Sequence, residues 1–221
     1  PHLDLYVGDV GEQGEILNKT RDKGIVDKGV TKTGATFTSD HKTVYYSAKK
    51  YSKRKLTNAQ LYKAEIDAEG NWINVQKLSV NKKQYTLETP TLNKENTKLY
   101  FSANLPGSLG GKDIFVAAIN ADGTLGDPIN LGDKVNTTKD EITPYIAGNN
   151  FLYFSSNGRE DSLGSFDIYA SEVFENTVSQ PLHLESPINS INDDFAYIVS
   201  SDKGYFSSNR LQGQQNNDIY S

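Results

Sequence analysis

An aromatic strand returns four times in this chain at nearly constant spacing. It reads VYYSAK from Val44, LYFSAN from Leu99, LYFSSN from Leu152 and GYFSSN from Gly204. The tyrosines Tyr45, Tyr100, Tyr153 and Tyr205 lie 55, 53 and 52 residues apart. A fixed period of about fifty residues means that one supersecondary unit is repeated and that its copies pack on one another. Any residue that recurs once per copy therefore has a structural duty as its first explanation.

Other segments keep the same beat. After each aromatic strand and a polar loop comes a second strand: QLYKAEI from Gln60, DIFVAAI from Asp113, DIYASEV from Asp167 and DIYS from Asp218. A further copy, DLYVGDV, starts at Asp4. Before each aromatic strand stands GATFTS from Gly34, ETPTLN from Glu88, ITPYIA from Ile142 or FAYIVS from Phe195. A Leu-bearing strand closes the unit: NWINVQKLS from Asn71, PINLGDKV from Pro128 and PLHLESPI from Pro181, with EILNKT from Glu15 as the first copy. Short runs rich in Tyr, Phe, Ile, Val and Thr, bounded by Gly, Asn, Asp or Pro, read as strands. No stretch carries helical periodicity, and the Gly- and Lys-rich segment from Arg21 to Lys32 reads as loop.

Four strands per unit of about fifty residues is the make-up of a propeller blade. The expected fold is all-β: a β-propeller of four-stranded antiparallel blades, with strands a to d from the centre outward and the aromatic strand as b. Both of its alternating positions are large because blades stack on both faces. The tally runs strands c and d, three complete blades, then a, b and c. That suits five blades, with six as the alternative, and incomplete terminal blades. The expected organisation is one propeller domain over residues 1–221, with repeats near 1–32, 33–86, 87–139, 140–192 and 193–221, the first and last partial. A chain opening on a third strand is expected to be a piece of a longer polypeptide.

Bulk properties remove several function classes. Lys and Arg number 23 against 28 Asp and Glu, a net charge of −5. This disfavours a nucleic-acid or anionic-membrane surface as the main partner, and no apolar run is long enough to cross a bilayer as a helix. Cysteine is absent, so disulfides, thiol nucleophiles and thiolate metal sites are excluded. No cofactor and no metal is expected.

The string INLG…VNT…DEITPYI…LYFSSN…GSFDIY, from Ile129 to Tyr169, resembles the PD40 or WD40-like repeat related to the propeller of TolB. The variant is similar to that of Bacteroidetes envelope proteins, in which an OmpA-like domain elsewhere in the polypeptide binds peptidoglycan. One such group belongs to the type IX secretion and gliding machinery. The resemblance implies a non-enzymatic scaffold in the periplasm or at the outer membrane. Its partners would be protein subunits of an envelope complex, with peptidoglycan reached only through other domains. A carbohydrate-binding or glycan-hydrolysing propeller is the alternative, and a TolB-like peptide-binding module the second. The first full repeat departs from the pattern: Gln60 replaces the Asp of the other copies, and a basic loop, KKYSKRKLTN from Lys49, replaces a Gly- or Asn-rich one.

Few residues carry a chemical signal of their own. The recurring Asp113, Asp167 and Asp218 are expected to cap a turn through backbone amides. The pairs Ser155-Ser156 and Ser207-Ser208 have no histidine motif beside them, because His2, His41 and His183 do not recur; they are expected to serve packing and the b–c turn. The acid pairs Asp140-Glu141, Glu160-Asp161 and Asp193-Asp194 read as solvated loop charge, since glycoside hydrolysis needs carboxyls set across a cleft. Asp161-Ser162-Leu163 resembles a short O-glycosylation signal. No catalytic residue is assigned. The b–c loops and d–a linkers open on one face, where rigid scaffolds carry binding loops. The candidate binding residues are Lys49, Lys50 and Arg54 in the basic loop and Asn104, Asn157, Arg159, Asn209 and Arg210 at the polar tips.

Overall fold

Among the described residues, every regular element of the computed structural model is a β-strand. The structure describes residues 6–12, 15–21, 30–52, 55–175, 177–200, 203–211 and 217–221. The chain divides into two compact units, Pro1–Pro90 and Thr91–Ser221.

The sheets follow chain order, as the repeat predicts. A hairpin of β1 (Tyr6–Val10) and β2 (Ile16–Arg21) comes first, with every strand residue exposed. Blade I holds β3 (Val30–Phe37), β4 (Thr43–Ser52), β6 (Gln60–Ile66) and β7 (Trp72–Lys77), with the two-residue β5 (Lys55–Leu56) paired to β4. Blade II holds β8 (Leu87–Leu92), β9 (Lys98–Ala103), β10 (Asp113–Ala118) and β11 (Ile129–Asn130). Blade III holds β12 (Glu141–Ile146), β13 (Phe151–Ser156), β14 (Asp167–Glu172) and β15 (Leu182–His183). Blade IV has three strands, β16 (Asp194–Ser200), β17 (Lys203–Ser208) and β18 (Asp218–Tyr220). The fold is thus an all-β propeller type with antiparallel blades, four of which carry a buried face.

The aromatic b strands are buried on both sides, as alternation requires in stacked sheets. Tyr45, Tyr46, Tyr100, Phe101, Phe154, Tyr205 and Phe206 are all buried. Phe101 stacks near Phe115, Phe154 near Tyr169 and Phe206 near Tyr220, so each b strand meets the c strand of its own blade through rings. In the Thr91–Ser221 unit, β12 packs against β9 and β10, and β16 against β12, β13 and β14. In the first unit, Trp72 is covered by Tyr46 at 4.9 Å between ring centres and by the Lys32 ammonium at 4.3 Å.

Each a strand carries a kink that the alternation alone does not announce. Thr89, Thr143 and Ala196 have φ of 49°, 50° and 58°, and the pairing registers slip beside Thr143 and Ala196. These are bulges that bend the strand and re-aim its side chains. In blade I the same place is Gly34, where a Cβ would lie 2.9 Å from the Thr89 Cα. A glycine is needed there for close approach, which accounts for the loss of the Thr-Pro dipeptide in that copy.

Candidate functional site

In blades II and III the loop before the c strand is tied to the aspartate that ends it. Leu109 and Gly110 donate their N–H groups to the Asp113 carboxylate at 2.7 and 3.2 Å. Leu163 and Gly164 do the same to Asp167 at 2.6 and 3.0 Å. A side chain from strand d completes each: Asn130 Nδ2 at 2.7 Å from Asp113 Oδ2, and His183 Nε2 at 2.7 Å from Asp167 Oδ2. Asp113 and Asp167 are fully buried and act as turn caps, as the repeat argument anticipates. In blade I, Gln60 reverses the polarity. It donates through Nε2 to the carbonyls of Ala59 and Tyr85.

A second tie was not legible as a motif. Asn81, Asn136 and Asn189, at the start of the d–a linkers, each grip the backbone of the c strand. Asn136 accepts from Ile114 N at 2.7 Å and donates to Ile114 O at 3.0 Å. Asn189 accepts from Ile168 N and donates to Ile168 O, both at 2.8 Å, and Asn81 holds Leu61 N and O in the same way. One amide side chain thus satisfies an edge donor and acceptor that a further strand would otherwise take. The linkers therefore carry anchoring residues rather than free binding loops at these points.

The acid pairs depart from the solvated-charge expectation. Glu141 and Asp194 are fully buried. Glu141 accepts from Thr137 N, Thr137 Oγ1 and Ser156 Oγ at 2.6–2.8 Å. Asp194 accepts from Ser190 N, Ser190 Oγ and Arg210 Nη2, each at 2.7 Å. Their neighbours bridge blades: Asp140 Oδ1 accepts from Lys112 N, and Asp193 Oδ1 from Phe166 N, each reaching back to the preceding blade. The exposed member of the set is Glu160-Asp161, where Asp161 accepts from Tyr169 OH at 2.9 Å and Ser162 lies 3.0 Å from the same hydroxyl.

Burial raises the Glu141 carboxyl above its ordinary value, against the hydrogen bonds from Ser156 and Thr137 and the charge of Arg159. The folded chain holds this proton more tightly than the unfolded one. The stability contributed by this shift is full below the ordinary glutamate value of 4.5 and is lost as pH rises through the raised folded value. Glu141→Gln removes that titration while keeping an acceptor for Thr137 N. We expect its stability to vary less than the parent's across this window. Urea denaturation at several pH values checks this; parallel curves for parent and variant would refute it.

Ser47 and Ser102 reach between blades, whereas Ser156 and Ser208 accept from the b–c turn of their own blade, from Gly158 N and Arg210 N. Ser47 Oγ accepts from Thr89 N at 3.1 Å, and Ser102 Oγ donates to Glu141 O at 2.6 Å, each joining a b strand to the next a strand. Ser155 Oγ lies 3.2 Å from Thr143 Oγ1, which accepts from Ala196 N. Ser208 Oγ accepts from Arg210 Nε at 3.0 Å.

Of the candidate binding residues, Arg159 and Arg210 occupy matching internal positions. The Arg159 guanidinium lies over the rings of Phe154 and Tyr169 and donates to Lys134 O and Val135 O. Arg210 lies over Phe206 and Tyr220 and donates to Pro187 O, Ile188 O and Asp194. Asn157 Oδ1 accepts from Asp140 N at 2.9 Å, and Asn209 Oδ1 from Asp193 N at 3.0 Å. Asn104, at the same register in blade II, is exposed. In the first unit, Lys49 pairs with Glu88 at 2.7 Å and the Lys50 ammonium sits 5.6 Å from the Tyr62 ring centre. Arg54 lies outside the described residues.

A concave feature opens on the other side of the Thr91–Ser221 unit, where the a–b and c–d turns lie. A groove of about 510 Å³ runs between strands b to d of blade II and the c–d connection of blade III. Tyr100, Val116, Leu131 and Phe174 form its apolar wall, and Lys98, Asp133 and Glu175 are among its charged lining. Burial, then the Glu95 carboxylate, pushes the Tyr100 phenol above its usual value, so it stays neutral. The long loops of the sequence favour the opposite face, because short turns give no compositional signal of a crevice between blades.

No protein-family model matches this chain, and no curated protein matches it. Solved structures do. TolB from Acinetobacter baumannii aligns with a TM-score of 0.59 at 15% identity, over 98% of this chain and 45% of its own. A serine-to-alanine mutant of a puromycin hydrolase aligns with a TM-score of 0.53 at 10% identity, over 93% of this chain and 38% of its own. An α-L-arabinofuranosidase from Lactobacillus brevis aligns with a TM-score of 0.52 at 11% identity, over 91% of this chain and 74% of its own. The chain spans less than half the length of the TolB structure. These likenesses show a TolB-like propeller fold. They also correct the expectation that the chain is not an enzyme, because hydrolases share the architecture and the fold is compatible with catalysis.

Proposed function

We propose that this chain is the protein-interaction propeller of a bacterial cell-envelope complex, at the periplasmic side of the outer membrane. In this reading it belongs with the OmpA-family envelope proteins of Bacteroidetes and the type IX secretion and gliding machinery. Peptidoglycan is reached through other domains of the same polypeptide. The observation that carries the reading is the TolB-like fold over 98% of the chain, built on repeats of the envelope type. Two further features support it. Among the described residues no helix is long and apolar enough to cross a membrane. In the Thr91–Ser221 unit the b–c loops of blades II and III are fixed by internal ties, which hold their tips in place as a protein partner's docking surface requires.

The test is recovery of envelope proteins from a Bacteroidetes-type cell on the immobilised parent chain. A Lys49→Glu/Lys50→Glu/Arg54→Glu variant with unchanged melting temperature is the comparison. We expect at least about tenfold weaker capture by the variant. Equal capture by both would refute the assigned face. Turnover of a glycan or peptide substrate without any protein partner would refute the scaffold role itself.

A further inference from the structure

The groove between blades II and III is the open end of a core cluster. Tyr100 and Val178 belong to that cluster, Val116, Leu131 and Val173 pack against it, and all of them line the groove. A smaller pocket of about 160 Å³ continues the groove past Glu95, and the two share Lys98, Tyr100, Phe174 and Glu175. The walls are set before anything enters. Lys134 Nζ, on the blade II side, donates to Val178 O on the blade III side at 3.0 Å. The blade III turn is closed by the Val173–Val178 bridge and by Phe174 N donating to Thr177 O at 2.8 Å.

Phe174 breaks the repeat. Asp67, Asn120 and Phe174 open the c–d turns of blades I, II and III, and each donates its N–H to the carbonyl that closes its turn, Asn71 O, Thr124 O or Thr177 O. In the first two the side chain helps to close the turn as well. Asp67 Oδ1 accepts from Glu69 N and Asn71 N, and Asn120 Nδ2 donates to Thr124 Oγ1. A phenyl ring has no such duty, and this one is 48% exposed beside the groove, with Ile129 66% exposed on the blade II side. A residue that recurs is explained by the repeat; this one is not.

The polar lining narrows the occupant. Asn93 and Asn130 spend their amides inside their own blade, which leaves little for the hydroxyls of a sugar. Lys98, Asp133 and Glu175 make no ion pair among the described residues. Asp133 and Glu175 are exposed at the rim, so the unpaired charge on the lining is mainly negative. A pocket continued by a second pocket suits a length of chain better than a compact molecule.

We propose that this groove is a docking site for a segment of a protein partner carrying an aromatic or Leu side chain with a Lys or Arg beside it. The apolar side chain enters among Val116, Ile129 and Phe174 and extends the core cluster, as an interface anchor does in a preformed pocket. The cation meets the Asp133 and Glu175 carboxylates at the rim. This deepens the interaction role proposed above and rests on it, but it uses none of the basic-loop residues.

The test uses the isotope-labelled 221-residue chain and the peptide acetyl-Lys-Leu-Phe-Lys-amide as probe, followed by backbone and methyl spectra. The probe is expected to shift resonances of Val116, Leu131 and Val173 with a dissociation constant below about 1 mM. Peptides with both Lys changed to Glu, or with Leu-Phe changed to Ser-Ser, should bind at least about tenfold more weakly. Phe174→Ala and Glu175→Lys, both at exposed positions, should each weaken the probe by about fivefold or more. The Lys49→Glu/Lys50→Glu/Arg54→Glu variant should bind it as the parent does, so loss of envelope-protein capture and loss of groove binding are read separately. The proposal is overturned if either control peptide binds as tightly as the probe, if the shifts map away from the groove, or if none appears at about 2 mM probe. Equal binding by phenethylammonium alone would overturn it in favour of a small-molecule site, and equal binding by cellohexaose in favour of a glycan site.

Discussion

Asn136→Asp is expected to lower stability by about 4 kcal/mol and the melting temperature by on the order of 10 °C. The side chain is 1% exposed. Its Nδ2 donates to Ile114 O and to Asn130 Oδ1 while its Oδ1 accepts from Ile114 N. A carboxylate keeps the acceptor and replaces both donations with a negative oxygen facing two oxygens. Repulsion and desolvation then act together. Asn136→Ala removes the same bonds without adding charge, so it should cost less, about 2–3 kcal/mol. The order of the two variants is the informative part. If Asp proves the milder change in chemical denaturation, the asparagine does not grip the strand as described.

Arg210→Ala is expected to cost about 3–4 kcal/mol, because it strips the cation from a fully buried Asp194 and two linker carbonyls of their donor. The Arg210 side chain is itself only 21% exposed. Much of that cost should come from the abandoned carboxylate. In an Asp194→Asn background, where an acceptor for Ser190 N remains, the same Arg210→Ala change should cost about 1–2 kcal/mol less. Additive effects in the four-member cycle would show that the ion pair is not what holds the guanidinium in place.

The sequence announced the strands because burial on two faces leaves long aromatic and aliphatic runs with a period that survives variation. Asp113 and Asp167 were legible as caps for the same reason: they stand at a fixed place before each c strand. Asn81, Asn136 and Asn189 recur too, but they lie in polar linkers, where an asparagine looks like any loop residue. Their signal is distance: they fall 20, 22 and 21 residues after Leu61, Ile114 and Ile168, whose backbone they hold. Arg159 and Arg210 look like polar tips in the sequence because a charged residue shortly after SSN suggests solvent. Stacking of a guanidinium on two rings hides that charge without any mark in composition. Glu141 and Asp194 mislead likewise, since adjacent acids look alike whether they face water or a bed of hydroxyl and amide donors. The groove beside Tyr100 was not legible, because it arises between blades and no single run of residues encodes it.

The ties that Ser102, Asp140 and Asp193 make between neighbouring blades of Thr91–Ser221 have a practical side. A stretch such as Val135–Glu141, which resembles idle connecting chain, is where an inserted tag or label would do the most damage. The turn at Asn120–Thr124 closes on itself through Asn120, Asp122 and Thr124, and it offers the safer place for a fluorophore or an epitope.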